Sequence, residues 1–254
     1  GVFTVAELSI TIDVTNHLSG SNYDLFVVND SGTQRVGTGA AWTNNTTRAE
    51  ALARLNGIWT NNASFTFRYS SVATLTVAAN RATYVGTFRA SANGQTEVSF
   101  GGSPSLGGTE AKLYLWNTYN RVWVSTLVRD STDSWTYSTA AWRSANASAT
   151  MRASFVRGLD EDTLQAMYEG LGADAAGMVG VGLDSTTAFS GTIAYMGANI
   201  TVGLAAIYTG IPGLGYHFVQ ALEFDDGAPT AKTFYGDAGN PTSYQTGLTM
   251  LGRM

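Results

Sequence analysis

The chain has 254 residues, enough for one large or two small domains with a substantial core. Only 13% of them are charged and the formal net charge is −5, with Lys112 and Lys232 as its lysines, so the clustered cations that a nucleic-acid surface needs are missing. Cysteine is absent, which excludes disulfides, thiolate metal sites and a cysteine nucleophile, and no apolar run reaches the roughly 18 residues that a transmembrane helix requires.

With so few charges, the surface must be built largely from Ser, Thr, Asn and Gly, a composition common in extracellular β-proteins and virion components. No basic-then-apolar signal segment opens the chain. Its start at Gly1 suits a processed chain or, preferably, the visible part of a longer one.

Strand signals begin at once. Residues 2–14 (VFTVAELSITIDV) alternate through Ile10 and Ile12, and 23–37 read as a hairpin folded at Asp30-Ser31-Gly32. Asn56-Gly57, between LARL and IWT, predicts a second hairpin, while Thr47 and Glu50 offer a competing capping-box helix before ALARL. Residues 64–91 supply two or three further strands. GGSPSLGG (101–108) is the sharpest break in composition and sets a boundary between an N-terminal β domain, 1–100, and a C-terminal β-sandwich domain, 109–254.

The stretch LYLWNTYNRVWVSTLVRDSTDSWTY (113–137) contains neither glycine nor proline. Leu113 to Trp116 is apolar on both faces and is expected to be buried, Tyr119-Asn120-Arg121 marks a bend, and the remainder alternates; together they predict the central hairpin of the second domain, with Trp116 in the core. Further strands are expected in 149–158, 176–183, 191–208, 216–224 and 231–236. One short helix is predicted near 160–169, where Asp160 can cap, Leu164, Met167 and Tyr168 form a face and Gly170 ends it. The fold class is therefore all-β, mainly antiparallel, as two β-sandwich or jelly-roll-like domains with that single helix. The echo of Asp-Ser-Thr at 130–132 and 184–186 reads as turn punctuation.

Candidate chemistry is sparse. The histidines are His17 and His217, and His217 sits in a strand pattern that favours a core or interface role over catalysis. Glu223 and Asp225 are two apart, so a strand puts them on one face as a potential acid–base pair; a charged turn ending at Gly227, with Asp226, is the preferred reading. The same acids with Asp237 give only a weak calcium pattern, because no spaced Asp loop occurs. Gly180 and Gly182 lie in a strand-like run with no lysine after them, which does not suit phosphate binding. The sequons at Asn44, Asn45 and Asn146 are expected by chance in so Asn- and Thr-rich a chain. No cofactor or metal is expected. Most aromatics belong in a core, and the candidates for a glycan or partner surface are Trp123, Trp135, Tyr137, Glu223 and Asp225.

Eight segments carry a family resemblance: SNYDLFVVNDSGT (21–33), AAWTNNTTRAEALARLNGIW (40–59), RATYVGTFRASANGQTE (81–97), LYLWNTYNRV (113–122), RDSTDSWTY (129–137), RGLDEDTLQAMYE (157–169), VGLDSTTAFSG (181–191) and FYGDAGNPTSYQTGL (234–248). Their succession resembles β-rich proteins of tailed bacteriophages, often the C-terminal part of tail-fibre-like or other minor virion proteins. The resemblance implies a non-catalytic virion component on the particle exterior, with other virion proteins and further copies of itself, a trimer by guess, as partners, and with host glycan as a further candidate. A head-decoration protein and a host-polysaccharide depolymerase acting through Glu223 and Asp225 are the alternatives, and an outer-membrane β-barrel fits loosely. No nucleic acid and no membrane insertion are expected.

Overall fold

The computed structural model describes residues 8–102, 108–239, 243 and 245–254. Its strands in the first part of the chain are β1 (Asn22–Asp30), β2 (Thr33–Ala41), β3 (Leu52–Leu55), β4 (Ile58–Asn61), β5 (Phe65–Arg68), β6 (Thr74–Val77), β7 (Ala82–Arg89) and β8 (Val98–Ser99). Then come β9 (Ala111–Leu113), β10 (Leu115–Asn117), β11 (Trp123–Val128), β12 (Ser134–Tyr137), β13 (Arg143–Ser144), β14 (Arg152–Arg157) and β15 (Leu164–Asp174). The last six are β16 (Gly177–Leu183), β17 (Ala194–Met196), β18 (Val202–Gly210), β19 (Gly215–Asp225), β20 (Lys232–Tyr235) and β21 (Gly247–Arg253). A single 3₁₀ turn at Ala145–Ala147 is the helical exception among the described residues.

These strands form three curled sheets. The first has the order β3-β4-β7-β1-β2-β5-β6, with β10 added on β7; the second runs β11-β21-β15-β20-β12, with β18 on β15; the third runs β17-β16-β19-β14-β9-β8, with β13 on β19. All strand pairs are antiparallel except β9 with β14.

Both hairpins read from the sequence are present. Asp30 pairs with Thr33 across Ser31 (φ 52°) and Gly32 (φ 96°), and Leu55 pairs with Ile58 across Asn56 (φ 50°) and Gly57 (φ 85°). Two left-handed residues in succession give the primed turn whose twist matches a two-residue hairpin. The Thr47–Glu50 segment forms no helix; the Glu50 carboxylate instead accepts the Ala40 amide at 2.9 Å.

Three expectations are corrected. Residues 160–169 hold no helix: from Leu164 the chain is strand β15, with Leu164, Ala166 and Tyr168 buried and Gln165 and Glu169 exposed. Partners on both sides, β21 and β18, outweigh the local helical signal, and Gly170 lies where an added Cβ would sit 2.4 Å from Val179. The acidic run before β15 binds arginines instead, Arg121 pairing with Glu161 and Asp162. Residues 8–14 of the first expected strand are irregular, and residues 2–7 lie outside the described residues.

The third correction concerns the boundary at 101–108, of which 103–107 lie outside the described residues. It does not separate the sheets. Strand β8, before it, pairs with β9 in the third sheet, and β10, after it, pairs with β7 in the first. The segment 113–137 is accordingly no hairpin, for β10, β11 and β12 join β7, β21 and β20. One hydrophobic core runs from Phe26 and Tyr84 through Trp116 to Phe155, Tyr168 and Met250.

Trp116 is fully buried, as expected, and lies against Tyr84 with ring centroids 6.4 Å apart. Beneath both rings the backbone of Gly158 passes so closely that a Cβ there would fall 1.9 Å from the Tyr84 hydroxyl and 2.5 Å from the indole. Arg48 completes the junction by donating to both Asp24 oxygens at 2.7 and 3.2 Å and to the Gly158 carbonyl at 2.5 Å. Burial disfavours the guanidinium charge, but Asp24 reverses the balance and raises the Arg48 pKa.

Gly158→Ala is expected to destabilise the protein by about 3 kcal/mol or more through overpacking, against a typical cost of about 1 kcal/mol for a point substitution. Urea unfolding followed by tryptophan fluorescence checks this, and an unchanged midpoint would refute the close approach.

Candidate functional site

The sequence candidates Trp135, Tyr137, Glu223 and Asp225 converge on one cluster, where β12, β13 and β20 meet the end of β19. Alternation along β19 puts Glu223 and Asp225 on the same face, as their spacing predicts. That face is the interior: both side chains are 0% exposed. The surface reading of these two acids is therefore corrected. Only the neighbouring Asp226 is exposed at the turn, where it accepts the Ala228 amide at 3.0 Å.

Register explains the partners. Arg143 stands opposite Glu223, and Trp135 stands opposite Phe234, on which its ring stacks at 6.2 Å. The Trp135 indole Nε1 donates to Glu223 Oε2 at 2.7 Å, and Arg143 Nε donates to Oε1 at 2.6 Å. The Arg143 guanidinium lies 3.8 Å from the centre of the Tyr137 ring, whose hydroxyl donates to the Ala141 carbonyl at 2.9 Å. Burial is the largest influence on Glu223 and raises its pKa, although Trp135 and Arg143 both favour the carboxylate.

Asp225 is held by backbone alone, accepting from Gly227 N at 2.7 Å and Lys232 N at 2.9 Å. The Lys232 side chain is fully buried and its Nζ has no hydrogen-bond partner. Burial lowers its pKa, against the opposing pull of Asp174, Asp225 and Asp226. The Tyr168 hydroxyl is likewise buried, with Thr246 beside it, and burial together with Glu223 and Asp130 raises its pKa far above the ordinary phenol.

This chemistry is that of a polar clamp. Each Glu223 oxygen is engaged and both acids are shut off from solvent, so the pair as built presents no free carboxylate to a glycosidic oxygen or a water. Among the described residues no group of three His, Asp or Glu side chains is placed to hold a metal ion.

Trp123 stands apart from the cluster. It is 63% exposed on the edge strand β11, opposite Arg253 of β21. On the other face of that strand an apolar groove of about 190 Å³ is lined by Val98, Phe100, Leu113, Leu115, Val124 and Met254, with Asn117 as its polar contribution. Phe100 is 55% exposed and Val122 likewise 55%.

Both histidines are buried. His217 Nδ1 lies 2.7 Å from Asp184, and His17 accepts the Asp13 amide at 3.1 Å while its Nε2 meets the Thr38 hydroxyl. Of the echoed aspartates, Asp130 accepts from Thr132 N within its own turn, whereas Asp184 accepts from Phe218 N of β19, and Ser185 makes the turn bonds there. Sequence reasoning missed the Asp24–Arg48 junction and the buried Lys232. The available signal was an acid or a lysine within an otherwise apolar strand run, such as Asp24 in NYDLFVV.

No protein-family model matches the chain and no curated protein matches it. No helix among the described residues is long and apolar enough to cross a membrane.

Glu223→Ala leaves the Trp135 indole without its acceptor and is expected to cost about 1–3 kcal/mol. The Glu223 pKa is raised on folding, so its contribution is fully present below the unfolded value of 4.5 and is lost as pH rises through the folded value. Urea titrations from acid to neutral pH should therefore show the stability gap between wild type and Glu223→Gln moving in favour of the variant as pH rises; a pH-independent gap refutes this. Lys232→Met should stabilise the protein near neutrality by at least about 1 kcal/mol, because it removes a buried unpaired ammonium. The Lys232 pKa is lowered on folding, so wild-type stability recovers as pH climbs towards 10.5 and the advantage of Met shrinks there.

Proposed function

We propose that the chain is a non-catalytic structural component of a tailed-bacteriophage particle, serving assembly and host attachment as a tail-fibre or spike domain. The observation that carries the reading is the exposed apolar surface around the groove between β8, β10 and β11. Phe100 and Leu115, which line this groove, and Val122 beside it are all exposed by 46% or more, while Trp123 is exposed on the opposite face of β11. Exposed apolar side chains gathered in one place mark an interaction surface.

Three further features support it. The eight-segment resemblance to phage virion proteins spans nearly all of the chain from residue 20 onward. The acids that a depolymerase would use are sealed into the clamp around Arg143 and Trp135. Cohesion without cysteine rests on one continuous core crossing all three sheets, which suits a durable particle component. Self-association through this apolar groove is the expected assembly mode, because homo-oligomers bury such patches at symmetric contacts.

The test is particle composition together with solution mass. The chain should be detected in purified particles by mass spectrometry, and light scattering on the purified protein should give a multiple of 26.8 kDa. The double substitution Phe100→Ser, Leu115→Ser should weaken association at least tenfold while the far-ultraviolet circular dichroism is kept. A chain that stays monomeric at high concentration and is missing from particles refutes the reading.

A further inference from the structure

A second cleft among the described residues shares no residue with the clamp. It has a volume of about 610 Å³ and opens at one end of the curled first sheet, between the β1–β2 turn and the segment from β6 to the start of β7. Mouths of curled β-structures are places where small ligands recurrently bind. Neither the resemblance nor the sequence candidates point to it.

Its construction has three parts. The floor is apolar and buried, made of Val28, Val77 and Ala82. One wall is held by Asn61, whose side chain donates to the carbonyls of Ala63 and Ala78 and accepts the amides of Arg81 and Ala82, all within 3.0 Å. That wall is therefore preorganised, its backbone fixed by a buried side chain. The opposite wall is the Ser31-Gly32 turn, pinned where the Gly32 amide donates to Asn29 Oδ1 at 2.7 Å.

The polar groups left over have one character. Asn29 spends its carbonyl oxygen on Gly32, which leaves its amide NH₂ as a free donor among the described residues. Arg81 is exposed and makes no ion pair or side-chain hydrogen bond among the described residues. The hydroxyls of Thr76 and Thr83 add adaptable partners. No Asp or Glu lines the cleft, and the nearby Asp30 is already paired with Arg35 at 2.7 Å. In a chain of net charge −5, this cleft thus gathers donors and one unpaired guanidinium over an apolar floor.

We infer that this cleft binds a carboxylate-bearing saccharide, a uronic-acid unit of a surface polysaccharide. Arg81 takes the carboxylate through its planar fork, the Asn29 amide and the Thr76 and Thr83 hydroxyls take ring hydroxyls, and the apolar face of the sugar lies on the half-buried Leu75, on the same face of β6 as Val77. A guanidinium matches a carboxylate with two parallel hydrogen bonds, which a neutral sugar cannot offer. The assignment deepens the attachment reading above and rests on it for its biological sense.

The experiment is a titration of the full chain, labelled with nitrogen-15, with trigalacturonate and, separately, with the neutral trisaccharide maltotriose. Amide shifts are expected in 28–33 and 75–83 with trigalacturonate, and maltotriose should bind at least tenfold more weakly. Arg81→Gln should weaken trigalacturonate binding at least tenfold, Thr76→Trp should abolish it by filling the cleft, and Arg54→Gln, an exposed arginine outside the cleft, should leave it unchanged. Retained spectral dispersion confirms that each variant is folded. Absence of shifts in the cleft, equal binding of maltotriose, or unchanged binding by Arg81→Gln would overturn the assignment. Because the titration uses the isolated protein, a chain that is found in particles yet fails to bind trigalacturonate sinks the cleft alone.

Discussion

The structure depends on the contact at Gly158. There the first sheet meets the rest of the protein, and the separation is set by the absence of a side chain between Tyr84 and Trp116. The close approach brings the Gly158 carbonyl to Arg48, whose guanidinium also holds Asp24, a charge within strand β1 that would otherwise be unpaired. Removing one member of such a buried set leaves the others desolvated without compensation, which is why Asp24, Arg48 and the Gly158 carbonyl act together. The strand exchange between sheets follows from the same contact, since Trp116 reaches Tyr84 only because β10 has joined β7.

The buried polar groups divide into two kinds. Asp24, Asn61, Glu223 and Asp225 have partners that fix loops and strand ends, and each locates a backbone segment more tightly than apolar packing alone would. The Lys232 ammonium lacks such a partner and costs stability. It sits beside Asp225 of the clamp, in the same strand as Phe234, on which Trp135 stacks.

Much of the fold was legible in the chain where local chemistry decides. Asn56-Gly57 and Ser31-Gly32 specify their turns through left-handed backbone, and the alternation of 124, 126 and 128 against 123, 125 and 127 gives the faces of β11. What was not legible is set by distant partners. Residues 164–170 carry a helical spacing and a strand spacing at once, and only β18 and β21 decide between them. The glycines of 101–108 mark a break in composition, but sheet membership is settled by pairings of β8 and β10 that no local signal encodes. The candidate acids were correctly placed on one face of β19, while the sequence could not tell whether that face is wet or dry. The answer came from Arg143 and Trp135, distant in sequence and brought opposite by register.

The position of β21 has a consequence for how the molecule is made. Residues 247–253 form an inner strand, flanked by β11 on one side and β15 on the other. Until they are synthesised, β11 and β15 present unpaired edges, and the first sheet likewise waits for β10 before it is complete. Folding is thus governed by non-local pairing and is expected to be slow compared with chains whose contacts are local. The open edges during that interval are surfaces on which neighbouring nascent chains can pair, so expression at lower temperature or with chaperone support should govern the yield of native protein.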